Sequence, residues 1–95
     1  MRRIFADHLQ TLRNRVPVLA VIEDLCIPTQ TRGSRLTFRC PDCGGFHTAA
    51  NPRSNLGRCF RCERNFNPID LVMAERKSRF LEAVAHVETL LRSTR

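Results

Sequence analysis

The first apolar positions recur at three- and four-residue spacing. Ile4, Phe5, Leu9 and Leu12, with His8 among them, fall on one side of a helix over residues 2–15. Pro17 ends that helix and suits the first turn of another, where its missing N–H costs nothing. Val18, Val21, Ile22 and Leu25 then line one face of the second helix. Ile27 to Ser34, punctuated by Pro28 and Gly33, reads as a linker. From Arg35 the period changes to two: Arg35, Thr37 and Arg39 face one way, Leu36 and Phe38 the other, in a strand that runs into Cys40. Phe46 to Ala50 is a second short strand, Asn51 to Asn55 a turn, and Leu56 to Phe60 a third strand. The helical period then returns. Asn67 is placed to cap a helix from Pro68 to Lys77, with Asp70 in its first turn and Ile69, Val72 and Met73 inward. Ser78 can cap a last helix carrying Phe80, Val84, Val87 and Leu91.

Helices around a middle of short strands predict an α+β fold, a small antiparallel sheet flanked by N-terminal and C-terminal helices. Residues 1–15 read as a helical extension and residues 16–95 as the domain proper. A chain of 95 residues holds one small domain and leaves no room for one of polymerase size. Six Phe, with no Trp or Tyr, are few anchors for a core this small, so a staple such as a metal is expected.

The cysteines supply one. Cys40-Pro-Asp-Cys43 and Cys59-Phe-Arg-Cys62 are two Cys-x-x-Cys pairs fifteen residues apart. Two side chains three apart on a tight turn can point at one ion, and two such turns close a tetrahedron of sulfur around Zn²⁺. A closed four-sulfur shell leaves no position for substrate, so the site is expected to be structural. Redox motifs or two disulfides do not account for the symmetric placement between strands. Gly44-Gly45 lets the chain bend behind the first pair, and Asn65 is the candidate left-handed residue behind the second. Cys26, between Leu25 and Ile27, is expected to be a small buried hydrophobe. His47 fits an exposed strand position near phosphate better than a metal shell; His8 and His86 fit packing or surface roles. The cysteine pattern, the Asp7, His8, Arg13 and Arg15 that interrupt any leader, and the absence of an apolar run of membrane length point to a reducing, cytoplasmic setting with no membrane partner.

The formal charge is +7, and fifteen of the sixteen cations are Arg, which favours planar, bidentate phosphate recognition. Four thiolates around one Zn²⁺ would lower the charge to +5. Between residues 32 and 64 seven Arg stand against two acids, Asp42 and Glu63. Arg35 and Arg39 share a side of their strand, as do Arg58 and Phe60. A sheet face of guanidinium groups with an aromatic ring among them can follow a single strand's backbone while bases stack. A solvated charged face is the plainer alternative. The candidate nucleic-acid residues are Arg35, Arg39, Arg53, Arg58, Phe60, Arg61 and Arg64.

Residues from about Val16 to Leu91 resemble the N-terminal zinc-binding domain of bacterial replicative primases of the DnaG type. The likeness lies in the order of a short apolar helix, a basic strand, Arg39-Cys40-Pro41-Asp42-Cys43, a Phe-led strand, Arg58-Cys59-Phe60-Arg61-Cys62, Asn67-Pro68-Ile69-Asp70-Leu71-Val72-Met73 and Phe80-Leu81-Glu82-Ala83-Val84. The resemblance implies a zinc ribbon over residues 16–95, with Cys40, Cys43, Cys59 and Cys62 as ligands. It also implies contact with single-stranded template DNA in replication priming, beside a polymerase domain and the replicative helicase. Cys43 stands where the family usually has His, and the stretch after the first pair is shortened to Gly44-Gly45, without the family's Pro-Ser-Phe. The chain carries no acidic cluster for the Mg²⁺ that nucleotidyl transfer needs, so a module without catalysis of its own is expected. It would be an excised domain, or would serve a polymerase in trans within a phage, plasmid or integrated element. Two other readings remain: a protein-interaction ribbon using Val72, Met73 or the last helix, and a transcription-factor ribbon that favours duplex DNA.

Overall fold

The computed structural model describes residues 2–93, with the side chains of residues 2–4, 32 and 93 outside the described set. Ile4, expected on the first helix's inward face, and the basic side chains of Arg2, Arg3, Arg32 and Arg95 therefore lie outside the described residues. Nine elements follow one another: α1 (Arg2–Arg15), α2 (Val18–Asp24), β1 (Thr29–Arg32), β2 (Arg35–Phe38), β3 (Thr48–Asn51), β4 (Leu56–Cys59), β5 (Arg64–Phe66), α3 (Pro68–Arg76) and α4 (Phe80–Ser93). The strands form one antiparallel meander in sequence order. The fold is α+β, as the two periodicities implied.

Two strands were not legible. The expected linker contains β1, which pairs with β2 along its whole length, Thr29 opposite Phe38 and Arg32 opposite Arg35. Gly33 and Ser34 are the two loop residues, and Gly33 takes the positive φ (61°) that a tight hairpin needs at its first central position. Thr-Gln-Thr-Arg has no apolar alternation because β1 is an edge strand, polar on both faces. β5 is three residues long and pairs with β4, Arg58 opposite Asn65.

Cross-strand partners share a face, so the register sorts the sheet. Phe38, Thr48, Ala50, Gly57, Cys59 and Phe66 look inward; Gln30, Arg35, Thr37, Ala49, Arg58 and Asn65 look outward. The inner face joins Leu12, Val16, Val18, Val21, Ile22, Ile69, Leu71, Val72, Ala83, Val84 and Val87 in a single core. Leu12 is fully buried there, so α1 packs into the same core as the rest. Leu71 is buried as well as the expected Ile69 and Val72, while Met73 is half-buried; α3 is covered on two sides. In α4 the stripe is Ala83, Val84, Val87 and Leu90, with Leu91 partly buried against it and Phe80 largely outside.

The caps refine the expected boundaries. Asn67 accepts from the Asp70 N–H at 2.7 Å and Asp70 accepts from the Asn67 N–H at 3.2 Å, a full capping box with Pro68 at the first helical position. Pro17 is the N-cap of α2 rather than its first helical residue. Ser78 does not cap α4: its hydroxyl is buried without a partner, and the Glu82 carboxylate accepts from the Arg79 N–H at 2.9 Å instead. Cys26 is exposed, not buried. It takes the left-handed turn after α2 (φ 56°), where Ile27 N–H returns to Ile22 O and Cys26 N–H to Glu23 O. That motif turns its residue outward and buries the next one, and Ile27 takes the core place.

Two residues lock the layers. Asn55, left-handed in the β3–β4 turn, accepts from Val18 N–H at 2.8 Å and donates to Arg13 O and Val16 O at 2.6 and 2.7 Å. Gly57 lies under Phe38: a Cβ there would stand 2.7 Å from the ring. Asn55→Ala should cost about 3 kcal/mol, from three hydrogen bonds at roughly 1 kcal/mol each, partly offset by water. Gly57→Ala should cost about 1–3 kcal/mol by overpacking. Chemical denaturation of the two variants checks both, and Gly57→Ala with no loss of stability would contradict the close approach.

Candidate functional site

The two Cys-x-x-Cys turns are built alike. Cys40 follows β2 and Cys59 closes β4. In each turn an amide N–H donates to the first sulfur, Asp42 to Cys40 Sγ and Cys62 to Cys59 Sγ, both at 3.4 Å. The residue behind the second cysteine is left-handed in both: Gly44 (φ 75°) and Glu63 (φ 54°). Asn65, expected in that role, instead lies in β5. Gly44 N–H donates to Cys40 O and Cys40 N–H to Gly45 O, each at 2.9 Å, which closes the first turn. Arg64 bonds Asp42 and so joins the strand after the second turn to the first turn.

The four sulfurs lie within 4.8 Å of one another. Cys40 to Cys62 and Cys43 to Cys59 are each 3.8 Å. A tetrahedron with zinc–sulfur bonds of about 2.3 Å has edges of about 3.8 Å, whereas a disulfide needs about 2.05 Å. All five cysteines are free. Thr48, fully buried opposite Cys59, finds no oxygen or nitrogen partner for its hydroxyl, and the Cys59 sulfur is the acceptor beside it. The residues fit a metal ion.

The electrostatics agree. Burial opposes ionisation of Cys59, but the Cys62 and Arg61 amides, the Thr48 hydroxyl and Cys40 outweigh it and bring the thiol down to about 6. Cys62 is pushed up to about 12 by desolvation and then by the other three sulfurs. Burial also raises Cys40, against the pull of the Cys43 and Asp42 amides. Cys59 ionises readily while burial holds Cys40 and Cys62 back, so a divalent cation would offset the cost of charging buried sulfurs. Zn²⁺ would be held by Cys40, Cys43, Cys59 and Cys62 and would supply cross-linking, with no open position for chemistry.

The expected basic residues separate into two groups. Arg35, Arg58 and Phe60 are exposed together on the outer sheet face, with Ala49 between them as a low floor. Phe60 is 57% exposed, and the Arg35 guanidinium lies 5.9 Å from its ring centre. Arg58 donates to Asn65 at 3.3 Å along the same face. Arg53 is exposed in the β3–β4 turn and Arg61 in the second cysteine turn. Arg39 and Arg64 leave the group. The alternation that pairs Arg39 with Arg35 stops at Phe38, and Arg39 turns to Glu75 of α3 at 2.5 Å, a carboxylate only 14% exposed. Arg64 alternates to the side opposite Arg58, where its guanidinium lies 4.7 Å over the Phe66 ring beside Asp42.

His47 is exposed beside Phe46 and Phe60 and is not among the sulfurs. His8 meets Glu88 at 3.0 Å and His86 meets Asp24 at 2.6 Å, tying α1 and α2 to α4. Asn55 and Gly57 were not singled out from the sequence; an Asn in a turn and a lone Gly within a strand are their faint signals. Among the described residues no helix is long and apolar enough to cross a membrane. No protein-family model matches the chain, and no curated protein matches it either.

The purified chain should carry one Zn²⁺, and a strong chelator should remove much of its ordered circular dichroism. Metal competes with protons for the sulfurs, so affinity should fall as pH falls. It should fall more steeply below about pH 6, where Cys59 too is protonated. Competition with a coloured chelator across that range measures the slope; an affinity independent of pH would contradict thiolate ligation.

Proposed function

We propose that this chain is a zinc-stabilised module that binds single-stranded DNA in the manner of a primase template-binding domain. It makes no primer itself and serves a polymerase domain, in a longer chain or in trans, in a reducing cytoplasmic compartment. The observation that carries the reading is the outer sheet face. There an exposed Phe60 ring lies beside the Arg35 guanidinium and lines one depression with Arg58 and the small Ala49. An aromatic face for a base beside guanidinium groups for phosphate is the pattern of single-strand binding. An exposed ring on a duplex-binding surface would have no unstacked base to meet.

A second reading rests on a different surface. Leu81 is 67% exposed at the start of α4, next to Phe80 and the exposed Arg76, Lys77 and Arg79, and such a patch suits a protein partner, a polymerase or helicase. Val72, expected as a docking residue, is 2% exposed and belongs to the core.

Labelled single strands should bind more tightly than the matching duplex. Arg35, Arg53, Arg58 and Arg61 enter no ion pair among the described residues. At about 0.7 per contact, four such cations give a log–log salt slope near −3. Arg35→Glu with Arg58→Glu, or Phe60→Ala alone, should weaken binding about tenfold or more. Leu81→Ser should leave it unchanged. DNA binding that ignores salt, or that survives the outer-face substitutions, contradicts the proposal; loss of partner capture by Leu81→Ser alone favours the second reading.

A further inference from the structure

Three depressions adjoin one another, running from the outer sheet face to the cleft between the start of α2 and the β3–β4 turn. The first, about 290 Å³, lies among Gln30, Thr37, Phe46 and His47. It shares Arg35, Ala49 and Phe60 with the second, about 600 Å³, which extends past Arg58. The second shares Leu19 and Pro52 with the third, about 430 Å³, which ends between Asn14 and Arg53. Together they form one open track, with the Arg35–Phe60 pair as a ridge between its first two parts.

The chemistry changes along the track. At the first end stand an amide, a hydroxyl and an imidazole, groups that both donate and accept. The Gln30 side chain enters no hydrogen bond among the described residues; its backbone carbonyl accepts from the Thr37 hydroxyl at 3.4 Å. The His47 ring lies over the bare Gly45, where an added Cβ would stand 2.8 Å from the ring. The middle offers a ring face and two guanidinium groups. At the far end Arg53 brings positive charge beside the apolar Pro17, Leu19 and Pro52.

Building on the single-strand reading, we propose that this track seats three successive nucleotides and reads only one of them. The base in the first depression is read at its edge by Gln30, with Thr37 and His47 beside it. The middle base stacks on Phe60, with Arg35 and Arg58 at its phosphates. The third is held through phosphate by Arg53, without regard to sequence. A glutamine amide pairs best with the side-by-side donor and acceptor of adenine, so adenine is the preferred base at the first position.

The test uses the full zinc-loaded chain and labelled oligothymidylates of two to eight nucleotides, some with a single adenine moved along them. Affinity should rise with length and level off near three or four nucleotides. One adenine placement should bind about fivefold or more tighter than thymine alone. Gln30→Ala should erase that preference and change oligothymidylate affinity less than about twofold. Arg53→Glu should weaken the eight-nucleotide probe about fivefold and leave the two-nucleotide probe unchanged. Both residues are exposed, and an unchanged circular dichroism spectrum confirms folding. If Phe60→Ala still abolishes binding but Gln30→Ala keeps the adenine preference, or Arg53→Glu weakens long and short probes alike, the three-part track is wrong and the single-strand reading stands. If the wild-type chain binds none of the probes at low salt, both fall.

Discussion

Four sulfurs meet where the two halves of the sheet turn back, and the rest of the molecule is arranged around that meeting. The first pair sits between β2 and β3 and the second between β4 and β5, so one ion would tie together both hairpin junctions. Without a cation the cluster works against itself, since burial and the neighbouring sulfurs keep Cys62 protonated. With one, binding of about 10–16 kcal/mol becomes folding energy. That is large beside the stability of about 0.05–0.15 kcal/mol per residue typical of small domains. The Asp42–Arg64 pair and the amide donors to Cys40 and Cys59 hold the two turns in place around the sulfurs.

The register of the meander divides labour between the two sheet faces. Inward, Phe38 occupies the space that Gly57 leaves open, Phe66 fills the next position, and the helices close over both. Outward, Arg35, Arg58 and Asn65 are exposed, and the small Ala49 lines the same depression as the two Arg. Cations spaced evenly along the sequence thereby acquire different roles. Arg39 neutralises a largely buried Glu75 on α3, and Arg64 braces the cysteine turns. Arg35, Arg53 and Arg58 remain directed at solvent. Burying a carboxylate without a partner is costly, so a charge next to α3 is better accounted for by the helix than by a ligand.

How far the chain could be read in advance depended on the range of the interaction. Periods of 3.6 and 2 placed four helices and three strands, because the core face of each element repeats along its own sequence. Asn67, Pro68 and Asp70 marked the start of α3, since a capping box closes within one turn. The cluster of four cysteines was legible because two cysteines three apart already form half of it. The edge strand β1 was not, because its pairing with β2 rather than its own pattern makes it a strand.

What only the tertiary structure decided concerns partners distant in sequence. Arg39 meets a carboxylate 36 residues away, Arg64 one 22 residues away, and Asn55 the ends of two helices about 40 residues earlier. Cys26 faces outward because the turn ending α2 gives the core place to its neighbour Ile27. Local rules determined most of the elements and the cysteine turns; which guanidinium groups are paired was set by where the fold put Glu75 of α3 and Asp42 of the first cysteine turn. Pairing between charges depends on distance in space, and sequence spacing does not carry that distance.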